Sequence, residues 1–281
     1  MFYFGDKMQI KNLMSEELVT IDKDQNICDA LRLMKKNKIS RLPVTNVNEN
    51  NEKELVGIVA EKDIATKLGS SKYGNLAPSH FHVSTVMVKD VITLEETEDI
   101  DKTAKLILEK NIGAVPITSD GDLVGIITKS DFIDTCKGKA YEKILATDIM
   151  SSEIISVSSQ DRLVHARRVI MDSNIGRLLV NENNELAGIL TSKDIARALT
   201  SFRKHVPDKY KQAQIKNILV EEVMSPNVER LSSESTVADI ANNMLETGYN
   251  GYPIVNEDDT VVGIVTQSDL LGLIVDLELG E

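Results

Sequence analysis

A pattern of Gly, two apolar residues, three variable positions and Asp, followed at once by an apolar-periodic run, occurs four times in this chain, so any fold it adopts must house four copies. The copies are Gly57-Ile-Val-Ala-Glu-Lys-Asp-Ile64, Gly125-Ile-Ile-Thr-Lys-Ser-Asp-Phe132, Gly188-Ile-Leu-Thr-Ser-Lys-Asp-Ile195 and Gly263-Ile-Val-Thr-Gln-Ser-Asp-Leu270. In each, a β-rich apolar run ends in a polar turn and helical periodicity resumes, which predicts a strand-to-helix junction.

The residues around each junction repeat as well. A Met and a short strand open each unit: Met14 before Leu18–Ile21, Met87 before Val91–Leu94, Met150 before Ile154–Val157 and Met224 before Val228–Leu231. A helix is predicted next, with apolar residues at helical spacing: Ile27, Ala30, Leu31 and Met34; Ile100, Ala104 and Ile107; Leu163, Ala166 and Ile170; Val237, Ile240, Ala241 and Met244. A strand pair, such as Arg41–Val44 with Leu55–Ala60, then leads into the junction. The unit reads β-α-β-β-α, and its four copies span 8–69, 81–138, 144–201 and 218–277. One unit alone buries too little surface to be stable, so pairing is expected. Repeats 1 and 3 share Lys-Asp-Ile-Ala and an Arg-Leu in the middle strand, whereas repeats 2 and 4 share Thr-x-Ser-Asp. That period of two suggests duplication of a two-repeat module, with modules 1–142 and 143–281. The long connections 69–84 and 201–216 read as solvated linkers.

Composition narrows the function classes. A 281-residue chain with 42% apolar residues and 6 Pro is folded throughout, and a net charge of -12 argues against a nucleic-acid or anionic-membrane surface. A phosphate site would have to be local. Cys28 and Cys136 have neither metal-ligand nor redox spacing, and there is no apolar run long enough to span a membrane nor a signal-peptide start. A cytoplasmic protein with no membrane insertion is expected.

The junction chemistry suits an anionic ligand. The first N–H groups of a helix lack partners and carry positive partial charge, so phosphate is favoured there. The hydroxyls of Thr128, Ser130, Thr191, Thr266 and Ser268 could bond a phosphate or cap a helix. Asp63, Asp131, Asp194 and Asp269, acceptor-only when ionised, suit the paired hydroxyls of a ribose. Helix capping alone explains any one junction, but capping would also accept Ser, Asn or Thr, and all four positions are Asp.

The β-α-β-β-α unit, the strands ending in Pro43-Val, Pro116-Ile and Pro253-Ile, and the Gly-to-Asp turn together resemble the cystathionine-β-synthase (CBS) domain. Four in one chain resemble the archaeal four-CBS proteins and the γ subunit of AMP-activated protein kinase. The resemblance implies an α/β (α+β) fold, with CBS repeats paired sheet to sheet into two Bateman modules that form a flat disc. It also implies AMP, ADP or ATP as ligand, with no cofactor required. By the same resemblance, Arg41 and Arg177 supply guanidinium groups to phosphate and Lys62 and Lys193 supply ammonium groups. Ile39-Ser40, Ile112-Gly113, Ile175-Gly176 and Tyr249-Asn250 border the adenosine. Ala60 stands where the other repeats have Thr, which weakens site 1, and Leu179 replaces the Pro of repeat 3. Arg230 offers repeat 4 an extra phosphate ligand.

Catalysis has little support in the sequence. His80, His82, His165 and His205 lack carboxylate or Cys partners at metal or triad spacing, no recurring base accompanies Ser130 or Ser268, and there is no Walker A or kinase signature. The expected function is a regulatory adenine-nucleotide sensor, not an enzyme, that transmits energy state to a protein target such as a kinase, transporter or metabolic enzyme. The competing classes are an S-adenosylmethionine-type sensor and an enzyme acting on a nucleotide.

Overall fold

The computed structural model describes residues 8–69, 77–136, 138–183 and 185–278. The start of the chain, read for a signal peptide, and positions 70–76 of the first long connection lie outside the described residues. Repeat 1 supplies β1 (Ile21–Asp22), α1 (Ile27–Asn37), β2 (Arg41–Val47), β3 (Lys53–Ala60) and α2 (Glu61–Leu68). After a short α3 (Val83–Val86), repeat 2 supplies β4 (Leu94–Glu95), α4 (Ile100–Glu109), β5 (Ala114–Ser119), β6 (Asp122–Thr128) and α5 (Lys129–Ile133). Then α6 (Ala146–Ile149) precedes repeat 3, which holds β7 (Ser156–Ser158), α7 (Leu163–Asp172), β8 (Arg177–Glu182), β9 (Glu185–Thr191) and α8 (Ser192–His205). A connecting α9 (Asp208–Gln214) leads to repeat 4, with β10 (Leu231–Ser232), α10 (Val237–Thr247), β11 (Gly251–Val255), β12 (Val261–Thr266) and α11 (Gln267–Glu278).

Each repeat forms a three-stranded sheet in which the short opening strand runs parallel to the middle strand and the last strand closes it antiparallel. The α1 residues Ile27, Ala30, Leu31 and Met34 are buried, as are Leu163, Ala166 and Ile170 of α7, so the apolar stripe read from the sequence is the packed face. Side-chain caps fix the helix starts: Asn26 Oδ1 accepts from the N–H of Cys28 and Asp29, and Thr236 Oγ1 accepts from Asp239 N–H.

The opening strands are shorter than expected and lie later in the chain: Ile21–Asp22 replaces Leu18–Ile21, for instance. The cause is non-local. Residues just upstream are drawn to the sheet of the neighbouring repeat, where Ser15 bridges Ile126, Val88 bridges Ile58, Ser151 bridges Ile264 and Ser225 bridges Ile189.

Contacts divide the chain into two compact units. One holds Val19–Val91 with Ile155–Val228 and the other holds Met1–Leu18, Ile92–Ile154 and Glu229–Glu281. Repeats 1 and 3 therefore share a unit, and so do repeats 2 and 4, a grouping that follows the period-of-two similarity and departs from the cut near residue 142. The first unit has a core in which α2 and α8 pack through Ile64, Ala65, Leu68, Ile195, Ala196 and Leu199. In the second, Ile107, Ile127 and Phe132 join Ile240, Val265 and Leu270. The two long connections are more than solvated linkers. Phe81, Arg203 and Lys211 are buried, and α8 runs on to His205.

Candidate functional site

Register sets the geometry of each junction. The first residue of the middle strand lies opposite the residue that caps the following helix, so Arg41 faces Ala60, Ala114 faces Thr128, Arg177 faces Thr191 and Gly251 faces Thr266. Antiparallel partners stand about 5 Å apart at Cβ, which puts both arginines beside their junctions. The residue before that strand is tied to the helix: the first helical N–H, from Glu61, Ser192 and Gln267, donates to the carbonyls of Ser40, Gly176 and Asn250 at 3.0, 3.1 and 3.2 Å. The pairs Ile39-Ser40, Ile175-Gly176 and Tyr249-Asn250 thus border their junctions, and the sheet brings Ile112-Gly113 to the equivalent place. Ile39 and Tyr249 remain exposed, at 37% and 52%.

All four Asp residues cap their helices. Asp63, Asp131, Asp194 and Asp269 each accept, at Oδ2, the N–H three residues back at 2.8, 2.6, 2.9 and 2.6 Å. The Thr hydroxyls donate to the same oxygen: Thr128 and Thr266 at 2.8 Å and Thr191 at 2.5 Å. Ala60 has no hydroxyl, so Asp63 makes the backbone bond alone. Burial pushes the carboxyls of Asp63 and Asp131 above the usual Asp range, while hydrogen bonds from the capping residues pull them down. Each of these capping bonds ends on the same carboxylate oxygen, Oδ2.

The basic residues divide. Lys62 Nζ donates to Asn174 Oδ1 at 2.6 Å and is half-buried, and burial lowers its pKa. Lys193 is exposed, beside the buried carboxylate of Glu61. Arg230, the extra candidate of repeat 4, is paired with Asp259 at 2.9 Å. In the unit of repeats 2 and 4 the two junctions clasp each other: Lys129 Nζ donates to Ser268 Oγ at 2.7 Å and Gln267 Nε2 to Ser130 Oγ at 2.8 Å. His82 Nδ1 lies 2.5 Å from Asp24 O, in the turn between β1 and α1.

Sequence reading passed over Glu61, Ser192, Arg197 and Asn174. Glu61 and Ser192 are buried at the first helical position, and Arg197 Nη2 lies 3.6 Å from Glu61 Oε1. The signal for Glu61 was present, since it is the only acid among Glu61, Lys129, Ser192 and Gln267.

Among the described residues, no group of three or more His, Cys, Asp or Glu could hold a metal, and no helix is long and apolar enough to cross a membrane. A family model described as the CBS domain matches residues 10–70, 83–138, 146–201 and 220–276. The Methanocaldococcus jannaschii protein MJ1225 is 30% identical over 93% of this chain and 97% of its own length. Its crystal structure, described as that of a proposed archaeal homolog of g-AMPK, superposes with a TM-score of 0.82 over 95% of this chain and 100% of that one. A second protein of that organism, MJ1404, is 26% identical over 96% of this chain, which spans 63% of its length. A Pyrococcus horikoshii structure, 23% identical, shares the fold with a TM-score of 0.61 over 95% of this chain and 100% of that one.

Proposed function

The chain belongs to the CBS-domain family, whose members are generally regulatory, and on that premise we propose that it is an adenine-nucleotide sensor with its ligands at the Asp junctions. One observation carries the reading: the same constellation is built four times, each with a capping Asp, a strand residue opposite the cap, and a pair such as Ile39-Ser40 or Tyr249-Asn250 beside it. A cap needs only an acceptor. The exposed side chains of Ile39 and Tyr249 take no part in the Asp caps and suit the face of a base. Similarity to MJ1225, described as related to g-AMPK, supports the same reading.

In this proposal Asp131, Asp194 and Asp269 accept from ribose hydroxyls while Thr128, Thr191, Thr266, Ser130 and Ser268 lie toward the phosphates. Arg41, Arg177, Lys62 and Lys193 give repeats 1 and 3 the stronger hold on charge. Binding acts by differential affinity for two states of the chain, which a protein target in the cytoplasm reads. A bound S-adenosylmethionine would set its sulfonium charge among those four cations, so phosphate is the better fit there.

The test is thermal unfolding with AMP, ADP, ATP, GTP and S-adenosylmethionine. At 100 times its dissociation constant a true ligand adds about 2.7 kcal/mol. Adenine nucleotides should stabilise without turnover, with up to three bound per chain. Asp131→Ala, Asp194→Ala and Asp269→Ala should each remove one, and Asp63→Ala should change little because Ala60 already lacks the hydroxyl. No stabilisation by any adenosine compound rejects the proposal, and steady product release from ATP that Asp194→Ala abolishes makes the protein an enzyme.

A further inference from the structure

In the unit of repeats 2 and 4, the first helical residue of each junction donates to the second helical residue of the other, as the Lys129–Ser268 and Gln267–Ser130 bonds show. The same exchange in the unit of repeats 1 and 3 would join Glu61 to Lys193 and Ser192 to Lys62. Instead Lys62 donates to Asn174, and the buried Glu61 Oε1 and Ser192 Oγ have no hydrogen-bond partner. Glu61 is 5% exposed and Ser192 7%. Leaving such atoms unpaired is costly, most of all for a carboxylate. Where its equivalents satisfy each other, this unit holds a buried acid facing two cations on the other repeat.

Those cations lie on α8. Arg197 Nη2 is 3.6 Å from Glu61 Oε1, yet 37% of the Arg197 side chain is exposed, so one end of the ion pair is dry and the other open to solvent. Lys193 is exposed one residue before Asp194. The charges acting on Glu61 include Lys193, Asp194 and Arg197 from α8 and Arg41 from β2, with Lys62 and Asp63 beside it on α2. Burial is the largest influence and pushes the Glu61 carboxyl up to about 7. Lys193, Arg197 and Arg41 pull it down, and Asp194 pushes it up.

We propose that Arg197 is a further phosphate-binding residue of the repeat 3 junction, and that Glu61 of repeat 1 holds Arg197 and Lys193 until a phosphate takes them, whereupon Glu61 takes up a proton. The proposal rests on the junctions being phosphate sites. The proton balance is simple: the two cations neutralise the incoming phosphate, the carboxylate loses its attraction and gains a repelling neighbour, and one solvent proton joins one Glu61 oxygen. The phosphate keeps its charge and no other bond changes. Above a pH of about 7, where it is ionised, Glu61 thereby acts as a stand-in anion that couples ligand affinity to pH. It also fits the weakness expected of site 1, because its carboxylate occupies the first turn of that junction's own helix.

The experiment is calorimetric titration of AMP, ADP and ATP from pH 6 to pH 8, in buffers of different ionisation heat, against wild type, Glu61→Gln and Arg197→Ala. Differences between variants cancel the ligand's own titration. Wild type should take up more protons than Glu61→Gln, by up to one per chain, and lose up to roughly tenfold more affinity across that range, since one unit of proton affinity is a factor of ten. Arg197→Ala should weaken nucleotide binding roughly tenfold and leave adenosine binding unchanged. This arm holds even if Glu61→Gln does not fold. Equal proton uptake and equal pH slopes in wild type and Glu61→Gln overturn the proposal while the junctions stand, as does nucleotide binding unaltered by Arg197→Ala. Failure of every nucleotide and of tripolyphosphate to bind removes the phosphate sites and this proposal together.

Discussion

A carboxylate in the first turn of a helix gains from the helix field and loses from leaving water, and at Glu61 the loss wins. The field is worth about 0.3 to 1 kcal/mol, up to about 2 when partly buried, whereas burying an ion costs several. Folded Glu61 therefore holds its proton to a pH of about 7, against an ordinary value of 4.5. Between those pH values the unfolded chain releases the proton and the folded chain retains it, so stability falls as pH rises through that window, by about 3 kcal/mol in all. Glu61→Gln cannot ionise. Its stability relative to wild type, from urea unfolding without ligand, should be about 2 to 3 kcal/mol more favourable at pH 8 than at pH 5. A difference independent of pH would mean that Arg197 and Lys193 keep the carboxylate ionised throughout. At this scale the four Asp residues were legible because they recur at one offset from Gly. Glu61 and Arg197 were not, because they act across two repeats and either alone reads as a charge on a helix surface.

Among elements, the recurring Met and Gly explain each other. A Cβ on Gly57 would lie 2.6 Å from Met87 Sδ, one on Gly125 2.5 Å from Met14 Sδ and one on Gly188 2.6 Å from Met224 Sδ, while Gly263 meets Met150 in the same way. Consecutive repeats thus exchange opening segments: the Met of repeat 2 sits on the Gly of repeat 1, and the Met of repeat 1 on the Gly of repeat 2. Both residue types were visible in the sequence, but their contact was not, because it joins each Met to a different repeat. The same exchange shortens the opening strands. The helices and closing strands, whose periodicity is local, were legible. The neighbours of each Gly rank its substitutions. At Gly57 and Gly188 a methyl would also press on a backbone carbonyl, of Val88 at 2.9 Å and Ser225 at 3.0 Å, whereas at Gly125 its three nearest atoms all belong to the flexible Met14 side chain. Gly57→Ala and Gly188→Ala should each cost about 1 to 3 kcal/mol in urea unfolding, and Gly125→Ala less. Equal costs at all three would show that the carbonyl contacts relax freely.

For the whole molecule, like repeats share a core. The Lys-Asp-Ile-Ala common to repeats 1 and 3 is the start of the α2 and α8 faces that pack together, with Ile64, Ala65, Ile195 and Ala196 all buried. That similarity was plain in the sequence and read as a trace of duplication, since nothing local tells a shared ancestor from a shared interface. The unit has a second fastening at the other end of α2, where unpaired carbonyls and the negative pole of the helix call for cations. Two arginines of repeat 3 answer: Arg167 donates to the carbonyls of Ala65 and Thr66 at 3.1 and 2.9 Å, and the buried Arg203 donates to that of Leu68 with its guanidinium 5.8 Å from the Phe81 ring. Burial lowers the pKa of both, but an Arg stays charged at any physiological pH. Arg203→Met keeps much of the apolar stem while removing that donor and the cation over Phe81, a loss of about 2 to 4 kcal/mol. Hydrogen exchange shows where the loss falls. If α2 depends on repeat 3 for its C-terminus, Arg203→Met should lower protection of the Ile64–Leu68 amides in repeat 1 as much as that of α8 itself, and leave the Val261–Thr266 strand of the other unit unchanged. Lost protection confined to α8 would show instead that repeat 1 closes its own helix and that Arg203 fastens only the element it belongs to.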